Sequence, residues 1–434
     1  MNLRHTARRA LPWAASAALV AAIAVSPTGA QAATVVTVPT VTRSYYGDYP
    51  VGRLVSFTFQ RGADGEAPVR FSYDLNGQVR TVKATGGKAT ITLAFTGRRV
   101  NVLRVSAIAA DGTQSGATYD IMAAMTRTPA QDKDVDGDML PDLLLAGGNG
   151  RPTGIWQATL RNPAAFPGQL KTPAVNVGAY GLGYGGPETS DGATLVTGSF
   201  LHTGFSDVLG YHTGGFNAGG GALIGGSGDG SVLDTRIGQR NLYSGYLSDL
   251  NGDNPLQLAN AYNAAGADVD GHHTDDLIAT VGSPANGYHL HYYVGSYAVA
   301  VGPQLALTTK TPADDMAWQD WTIATAQQPT ADGSPGTAMY LWHRASGRLV
   351  LWKDIRVTDH QDGTGSITHT AYEVAVFWNT GADLAALVAA DFTGDGSPDL
   401  WAVRQDGKVT AYAITGLTAA GPATVTPGPQ QSLF

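Results

Sequence analysis

Five times along this 434-residue chain, a short loop of one design leads into a run of apolar residues. In the clearest copy Asp391, Thr393, Asp395 and Asp399 take loop positions 1, 3, 5 and 9. Gly394 and Gly396 lie between them, and Leu400-Trp401-Ala402-Val403 follows at once. A second full copy places Asp134, Asp136, Asp138 and Asp142 at the same positions before Leu143-Leu144-Leu145, with Met139 where the last copy has Gly396. Three worn copies begin at Ser199, Asp268 and Gln328. The five starts, 134, 199, 268, 328 and 391, are therefore 65, 69, 60 and 63 residues apart. Self-similarity at a fixed period of this size marks a repeat architecture. Each repeat reads loop, strand, turn, strand. Leu143–Leu145 is expected to pair with Gly154–Leu160, Met339–His343 with Arg348–Trp352, and Leu400–Val403 with Lys408–Ala413.

Antiparallel units of this kind cannot bury both faces alone. Arranged radially they form a β-propeller, which leaves only short, protected edges. The loops themselves suit a hard cation. Ca²⁺ takes six to eight oxygens, and alternating carboxylates on a loop that glycine lets bend sharply supply several of them. A backbone carbonyl near Ser397 adds another. In the copy at Asp268 the acids Asp268, Asp270 and Asp276 remain, with His272, a poor ligand for a hard cation, at position 5. The copies at 199 and 328 have lost most ligands and are expected to be metal-free turns. A further stretch, Asp249-Leu250-Asn251-Gly252-Asp253, lies out of phase. It leaves the count of blades between five and seven.

The rest of the chain divides around this region. Arg4, Arg8 and Arg9 precede a twelve-residue apolar run, Ala14 to Val25, and Ala30-Gln31-Ala32 has the form of a cleavage site. The run is shorter than the ~20 residues of a spanning helix, so residues 1–32 read as an export signal and the mature chain carries no transmembrane segment. The Arg8-Arg9 pair leaves open whether export is by the general or the twin-arginine route. Residues 33–126 read as a lead-in and a β-sandwich. Val55, Phe57 and Phe59 alternate with Ser56, Thr58 and Gln60, the pattern of a half-buried strand. Asn76-Gly77, between two such runs, is a strong hairpin signal. Six or seven strands in this span suggest an immunoglobulin-like sandwich, without its Cys-Trp-Cys signature. Residues 127–420 hold the repeats, and 421–434 read as a tail. The fold class is thus all-β, a small Ig-like sandwich followed by a propeller. The 56 glycines and 14 % charged residues suit such a turn-rich protein. With no cysteine, bound cations are the natural substitute for disulfides in holding loops.

The pattern D-x-[DNT]-G-D-x-x-x-D followed by an apolar strand resembles the FG-GAP / VCBS repeat family, which includes the propeller heads of integrin α chains, fungal lectins and many secreted bacterial proteins. The resemblance is specific at 134–145 and 391–403 and weaker at 268–278. It implies a Ca²⁺-bound propeller used for binding. By position, the implied ligands are Asp134, Asp136, Asp138 and Asp142, then Asp391, Thr393, Asp395 and Asp399, and in the third loop Asp268, Asp270 and Asp276.

Removing the three arginines of the first 32 residues takes the net charge from −8 to −11, a surface that repels nucleic acid. The glycine-rich stretch Gly214–Gly221 lacks the Gly-Lys-[Ser/Thr] ending of a phosphate loop, and no nucleophile elbow or His-Glu-x-x-His helix occurs. His289 and His291 share one strand face, where zinc would need a third ligand from elsewhere. Asp314, Asp315, Trp318, Asp320 and Trp321 form the main non-metal cluster. Trp318, Asp320 and Trp321 have the chemistry of a sugar platform, because sugar faces stack on aromatic rings and acids bond hydroxyls. Two carboxylates would also serve glycoside hydrolysis. The competing reading is Trp packing between neighbouring sheets. The expected function is a secreted, monomeric, Ca²⁺-stabilised protein that binds glycan or a cell-surface protein without catalysis. The alternative is a secreted polysaccharide lyase or glycoside hydrolase on the same scaffold.

Overall fold

The computed structural model describes residues 35–434 apart from 47–48, 51–52, 76–77, 95–98, 126–130, 184, 202–204, 234–238, 263–273, 297–299, 330–334 and 420. The export signal expected at 1–32 lies outside the described residues. Apart from two short 3-10 turns, Pro187–Ser190 and Trp318–Asp320, the regular structure of the described residues is all strand.

The first eight strands are β1 (Thr40–Arg43), β2 (Tyr49–Pro50), β3 (Leu54–Gln60), β4 (Arg70–Leu75), β5 (Gln78–Lys83), β6 (Lys88–Ala94), β7 (Arg99–Ile108) and β8 (Gln114–Met125). They form a sheet of order β1-β3-β6 and a second of order β2-β8-β7-β4-β5, which share one core. The period-two pattern decides which side chains fill it. Val55, Phe57 and Phe59 point inward and meet Phe71, Leu103 and Val105 of the other sheet. On the outer face the hydroxyls of Ser56 and Thr58 pair with those of Thr92 and Thr90. Leu75 opposes Gln78, so the strands flanking Asn76-Gly77 pair as expected, although that turn lies outside the described residues. The lead-in is part of the fold, since β1 and β2 add one strand to each sheet.

Five antiparallel units follow. The first holds β9 (Asp142–Gly148), β10 (Arg151–Thr159) and β11 (Val175–Asn176), and the second β12 (Thr194–Gly198), β13 (Asp207–Tyr211), β14 (Gly221–Ile224) and β15 (Gln239–Leu242). The third holds β16 (Pro255–Ala261), β17 (Asp276–Ser283), β18 (Gly287–Ser296) and β19 (Ala300–Leu307). The fourth holds β20 (Trp321–Pro329), β21 (Pro335–His343), β22 (Arg348–Asp359) and β23 (Thr364–Ala375). The fifth holds β24 (Leu384–Ala390), β25 (Asp399–Arg404), β26 (Lys408–Thr415), β27 (Thr424–Pro427) and β28 (Gln431–Ser432). The expected pairings are present: Leu145 opposes Trp156, Met339 opposes Trp352, and Leu400 opposes Tyr412. Units three and four join through a two-residue parallel pairing of β19 with β23. Their first strands also meet, as Gln257 Nε2 donates to Trp321 O at 2.8 Å and Gln257 Oε1 accepts from Ile323 N at 3.0 Å. The result is one nearly closed, barrel-like sheet of eight strands.

Each unit buries its two faces against its neighbours in turn. Leu144 and Ile155 of unit one pack with Val208 and Ile224 of unit two. Leu209 and Leu223 pack with Leu277 and Val281 of unit three. Ile278 and Leu290 pack with Leu341 and Trp352 of unit four. Tyr340 and Leu351 pack with Leu400 and Ile414 of unit five. Trp401 and Val409 then pack with Leu143 and Leu160 of unit one. The chain of cores closes on itself.

Residues 421–434 are not a separate tail. β27 and β28 both pair with β26, Ala174 N donates to Leu433 O at 2.9 Å, and the Phe434 ring meets Trp156 edge-on at 5.2 Å. The last residues thus tie unit five to unit one. The stretch Asp249–Asp253 is a turn in the connection from β15 to β16, closed by Asp249 Oδ1 accepting from Asn251 N and Asp253 N, and adds no unit.

Candidate metal centre

In units two to five the recurrent loop joins the first strand to the second. In unit one the loop starts after Lys133, whose carbonyl accepts from Asp142 N at 2.9 Å, as a first strand would. All five loops therefore lie at the same place in their units. The two full copies fold alike. Asp134 accepts from Gly137 N and Met139 N, and Asp391 accepts from Gly394 N and Gly396 N. Asp138 accepts from Leu140 N, and Asp395 from Ser397 N. The bend at position 6 is left-handed in both, with φ of 80° at Gly396 and 69° at Met139. A side chain other than glycine is strained there. The first acid thus folds the loop, and its oxygens keep lone pairs for a further partner.

The acid at position 9 does something the spacing did not disclose. Asp142, Asp207, Asp276 and Asp399 each open a second strand, and all four are buried. Asp207 accepts from Phe200 N and Leu201 N of its own loop, and from Gly226 N beyond the third strand. Asp399 accepts from the amide and hydroxyl of Thr393 and from Ile414 N. Asp276 accepts from the Tyr292 hydroxyl and, at 2.5 Å, from Gly295 N. In each case the third-strand donor is the residue one beyond the acid's cross-strand neighbour. Asp207 keeps this role in a loop with Ser199, Leu201 and Thr203 at positions 1, 3 and 5. The ninth acid is therefore a fastener between loop and third strand. In Asp276 and Asp399 both oxygens are engaged this way, an anchoring role that the loop pattern had not indicated.

Asp142 departs from the pattern. Its Oδ2 accepts from Val135 N, Asp136 N and Gln157 Nε2. The residue at the matching place is Leu160, which faces Leu170 across an antiparallel bridge and gives Asp142 no hydrogen bond. Asp142 Oδ1 is left buried without a partner. One carboxylate oxygen from each of Asp134, Asp136 and Asp138 lies within 4.8 Å of the others. Thr159 Oγ1 donates to Asp136 Oδ2 at 3.1 Å and holds that carboxylate in place. Burial, and then the neighbouring carboxylates of Asp136, Asp138 and Asp134, pushes the Asp142 carboxyl up to about 8. Burial and Asp136 also raise Asp138. The neighbouring cation is Lys171, 3.9 Å from Asp138 and largely exposed, and such a contact offsets little. Three converging acids on one bent loop fit a hard divalent cation. In the last loop, Asp391, Asp395 and Asp399 do not form so close a carboxylate cluster, and burial leads the causes that raise Asp399, to about 6. Asp268 and Asp270 lie outside the described residues, as does most of the loop at 328.

The expected sugar platform is not formed. Trp318 and Trp321 are buried. Trp318 meets Trp352 edge-on at 5.9 Å and donates through Nε1 to Thr309 O, and Trp321 packs on His343. Asp320, exposed beside them, accepts only a long hydrogen bond, 3.4 Å from Gln319 Nε2. The alternating aromatic and acidic residues reflect a turn into β20, where the rings face the core. His291 is buried and His289 half-buried, and no metal cluster forms there among the described residues.

Two spaces remain. The axis between the first strands is filled by Leu195, Leu258, Ile323 and Leu387 and retains about 70 Å³. Lys133 crosses it, donating to Thr325 O and to Asp132, both at 2.9 Å. That volume holds one or two waters, not a sugar. The second space is a cleft of about 680 Å³ between the acid loops of units one and five. Neither Lys133 nor the cleft was marked by the loop pattern, because both depend on which units meet.

No protein-family model and no curated protein matches the chain. Among solved structures, one of an auxiliary nutrient binding protein from Bacteroides ovatus is similar over 87 % of this chain and 83 % of that one, with 9 % identity and a TM-score of 0.24. A likeness at that score carries no argument for fold or function.

Proposed function

We propose that this chain is a secreted binding protein of the FG-GAP / VCBS kind. In this reading an Ig-like sandwich precedes a five-bladed β-propeller, Ca²⁺ at the first loop is structural, and the ligand is a glycan or cell-surface protein. The observation that carries the metal part is the convergence of one carboxylate oxygen from each of Asp134, Asp136 and Asp138 within 4.8 Å of one another. The cyclic sequence of shared cores supports five blades. A bound cation would supply the positive charge this loop lacks, and the three converging acids would hold it. Ligand binding is supported by the 680 Å³ cleft, which lies within the size range of small-molecule sites. The lyase or hydrolase alternative needs convergent acids. Asp314 is paired with Lys310, Asp315 is held by Thr311 and Ala317, and neither they nor Asp320 line the cleft or the axis.

The test is retention of residues 33–434 on insoluble polysaccharides and bacterial cell walls, in Ca²⁺ and again in chelator. Retention lost in chelator is the expected result. No retention in either buffer overturns the glycan reading, and release of soluble sugars overturns the reading without catalysis.

A further inference from the structure

The cleft of about 680 Å³ is built by segments of units one, four and five that meet only in the folded ring. One wall is the unit-one acid loop, through Met139, Leu140 and Pro141, and the facing wall is the unit-five loop from Asp391 to Gly396. The connection from β10 to β11 forms the third side, and it is pinned along its length. Arg161 N donates to Gln169 O at 2.7 Å, Leu170 N to Gln431 Oε1 at 2.8 Å, and Gly168 O accepts from Trp401 Nε1 at 3.0 Å. Leu140, Leu160 and Phe392 give the cleft an apolar part, and Phe392 is backed by Trp401 at 4.9 Å. Gln131, Asn162 and Gln327 supply carboxamides.

The cation of the lining, Arg161, points to the class of ligand. Both acids of the lining are engaged within the protein. Asp132 accepts from Lys133 Nζ and Gln327 N, and Asp391 accepts from the amides of its own loop. Arg161 is exposed at the cleft and has no ion-pair partner among the described residues. Its guanidinium matches a carboxylate with two parallel hydrogen bonds. Carboxamides bond hydroxyls as both donors and acceptors, and an apolar surface takes the C–H face of a sugar ring.

We infer that the cleft between the unit-one and unit-five loops binds a short acidic oligosaccharide, with the Arg161 guanidinium on a uronate carboxylate and the carboxamides on ring hydroxyls. This rests on the glycan reading above and adds its site and sugar class. The test is calorimetric titration of residues 33–434 in Ca²⁺ with oligogalacturonate, oligoalginate and, as neutral probes, cello- and chito-oligosaccharides. Wild-type protein is expected to bind an acidic probe. Arg161→Ala should weaken that binding about tenfold or more, the loss of one charge-assisted hydrogen bond or a pair of them. Ala164→Trp, which fills the cleft from an exposed position and removes no contact, should abolish it with unchanged melting. Binding of any sugar that both variants leave intact overturns the cleft assignment while the glycan reading stands. Neutral probes bound as well as acidic ones, with loss only in Ala164→Trp, overturn the uronate assignment. No binding of any probe by the wild type overturns both.

Discussion

Asp142 and Asp399 hold the same loop position and each accept three hydrogen bonds, but only Asp399 spreads them over both oxygens. Asp399 satisfies both oxygens on Thr393 and Ile414, whereas Asp142 Oδ1 has no partner. Replacing Asp399 by Ala strands buried amides, at a cost of about 1–3 kcal/mol. Its melting temperature should therefore fall equally in Ca²⁺ and in chelator. Asp138→Ala should instead remove the gain in melting temperature that Ca²⁺ confers, and leave the chelator value unchanged or higher, because like charge is relieved. Equal melting curves for wild type and Asp138→Ala in Ca²⁺ would rule out a metal at the first loop. Two histidines set a separate dependence on acid. His369 stacks on Trp352 at 3.7 Å, His291 is buried, and burial lowers the pKa of both below the ordinary 6.5. The unfolded chain then takes up protons that the folded chain resists. Stability from this source is complete above about pH 6.5 and is lost as pH falls from there toward the lowered folded values. His369→Phe, which keeps a ring on Trp352, should flatten the fall in thermal midpoint between pH 6.5 and 5.

At the scale of elements, the hairpins limit what the repeats tolerate. Gly282, near the end of β17, has φ of 143°, and a Cβ there would stand 2.0 Å from Gly287 O on the opposing strand. Neither the backbone angle nor the neighbouring carbonyl can give way cheaply. Gly282→Ala should destabilise the protein by about 2 kcal/mol or more, read as a lower urea midpoint with an unchanged slope. The same scale explains the misplaced sugar site. An alternating aromatic and acidic pattern specifies which residues share a side, but not whether that side meets solvent or a neighbouring sheet. The short turn Trp318–Asp320 and the strand after it turn both rings into the core shared with unit four's other strands.

At the scale of the whole molecule, the five units form a ring of cores, and its closure involves residues 424–434. Leu433 is buried in the core between units five and one, and its carbonyl is bonded to Ala174. Leu433→Ala should cost about 2–5 kcal/mol, the usual range for a buried leucine, despite lying one residue from the end. A urea midpoint within error of wild type would show that the ring is closed by other contacts. Closure also makes the cleft, since its two loops are about 250 residues apart in sequence and adjacent only because the fifth unit returns to the first.

The sequence by itself determined the all-strand class, the alternation that fills the sandwich, the five-fold loop period and the strand pairs that follow each loop. These are local properties, set by side-chain periodicity and turn chemistry within about ten residues. The acid cluster at Asp134, Asp136 and Asp138 was legible for the same reason, since one bent loop carries all three. Only the tertiary structure decided that Asp276 and Asp399 are fasteners, that Trp318 and Trp321 are core, that residues 421–434 latch the ring, and that a cleft lies beside Arg161. Each of these depends on partners brought in from another strand or another unit, and spacing along a chain carries no record of which surfaces will meet.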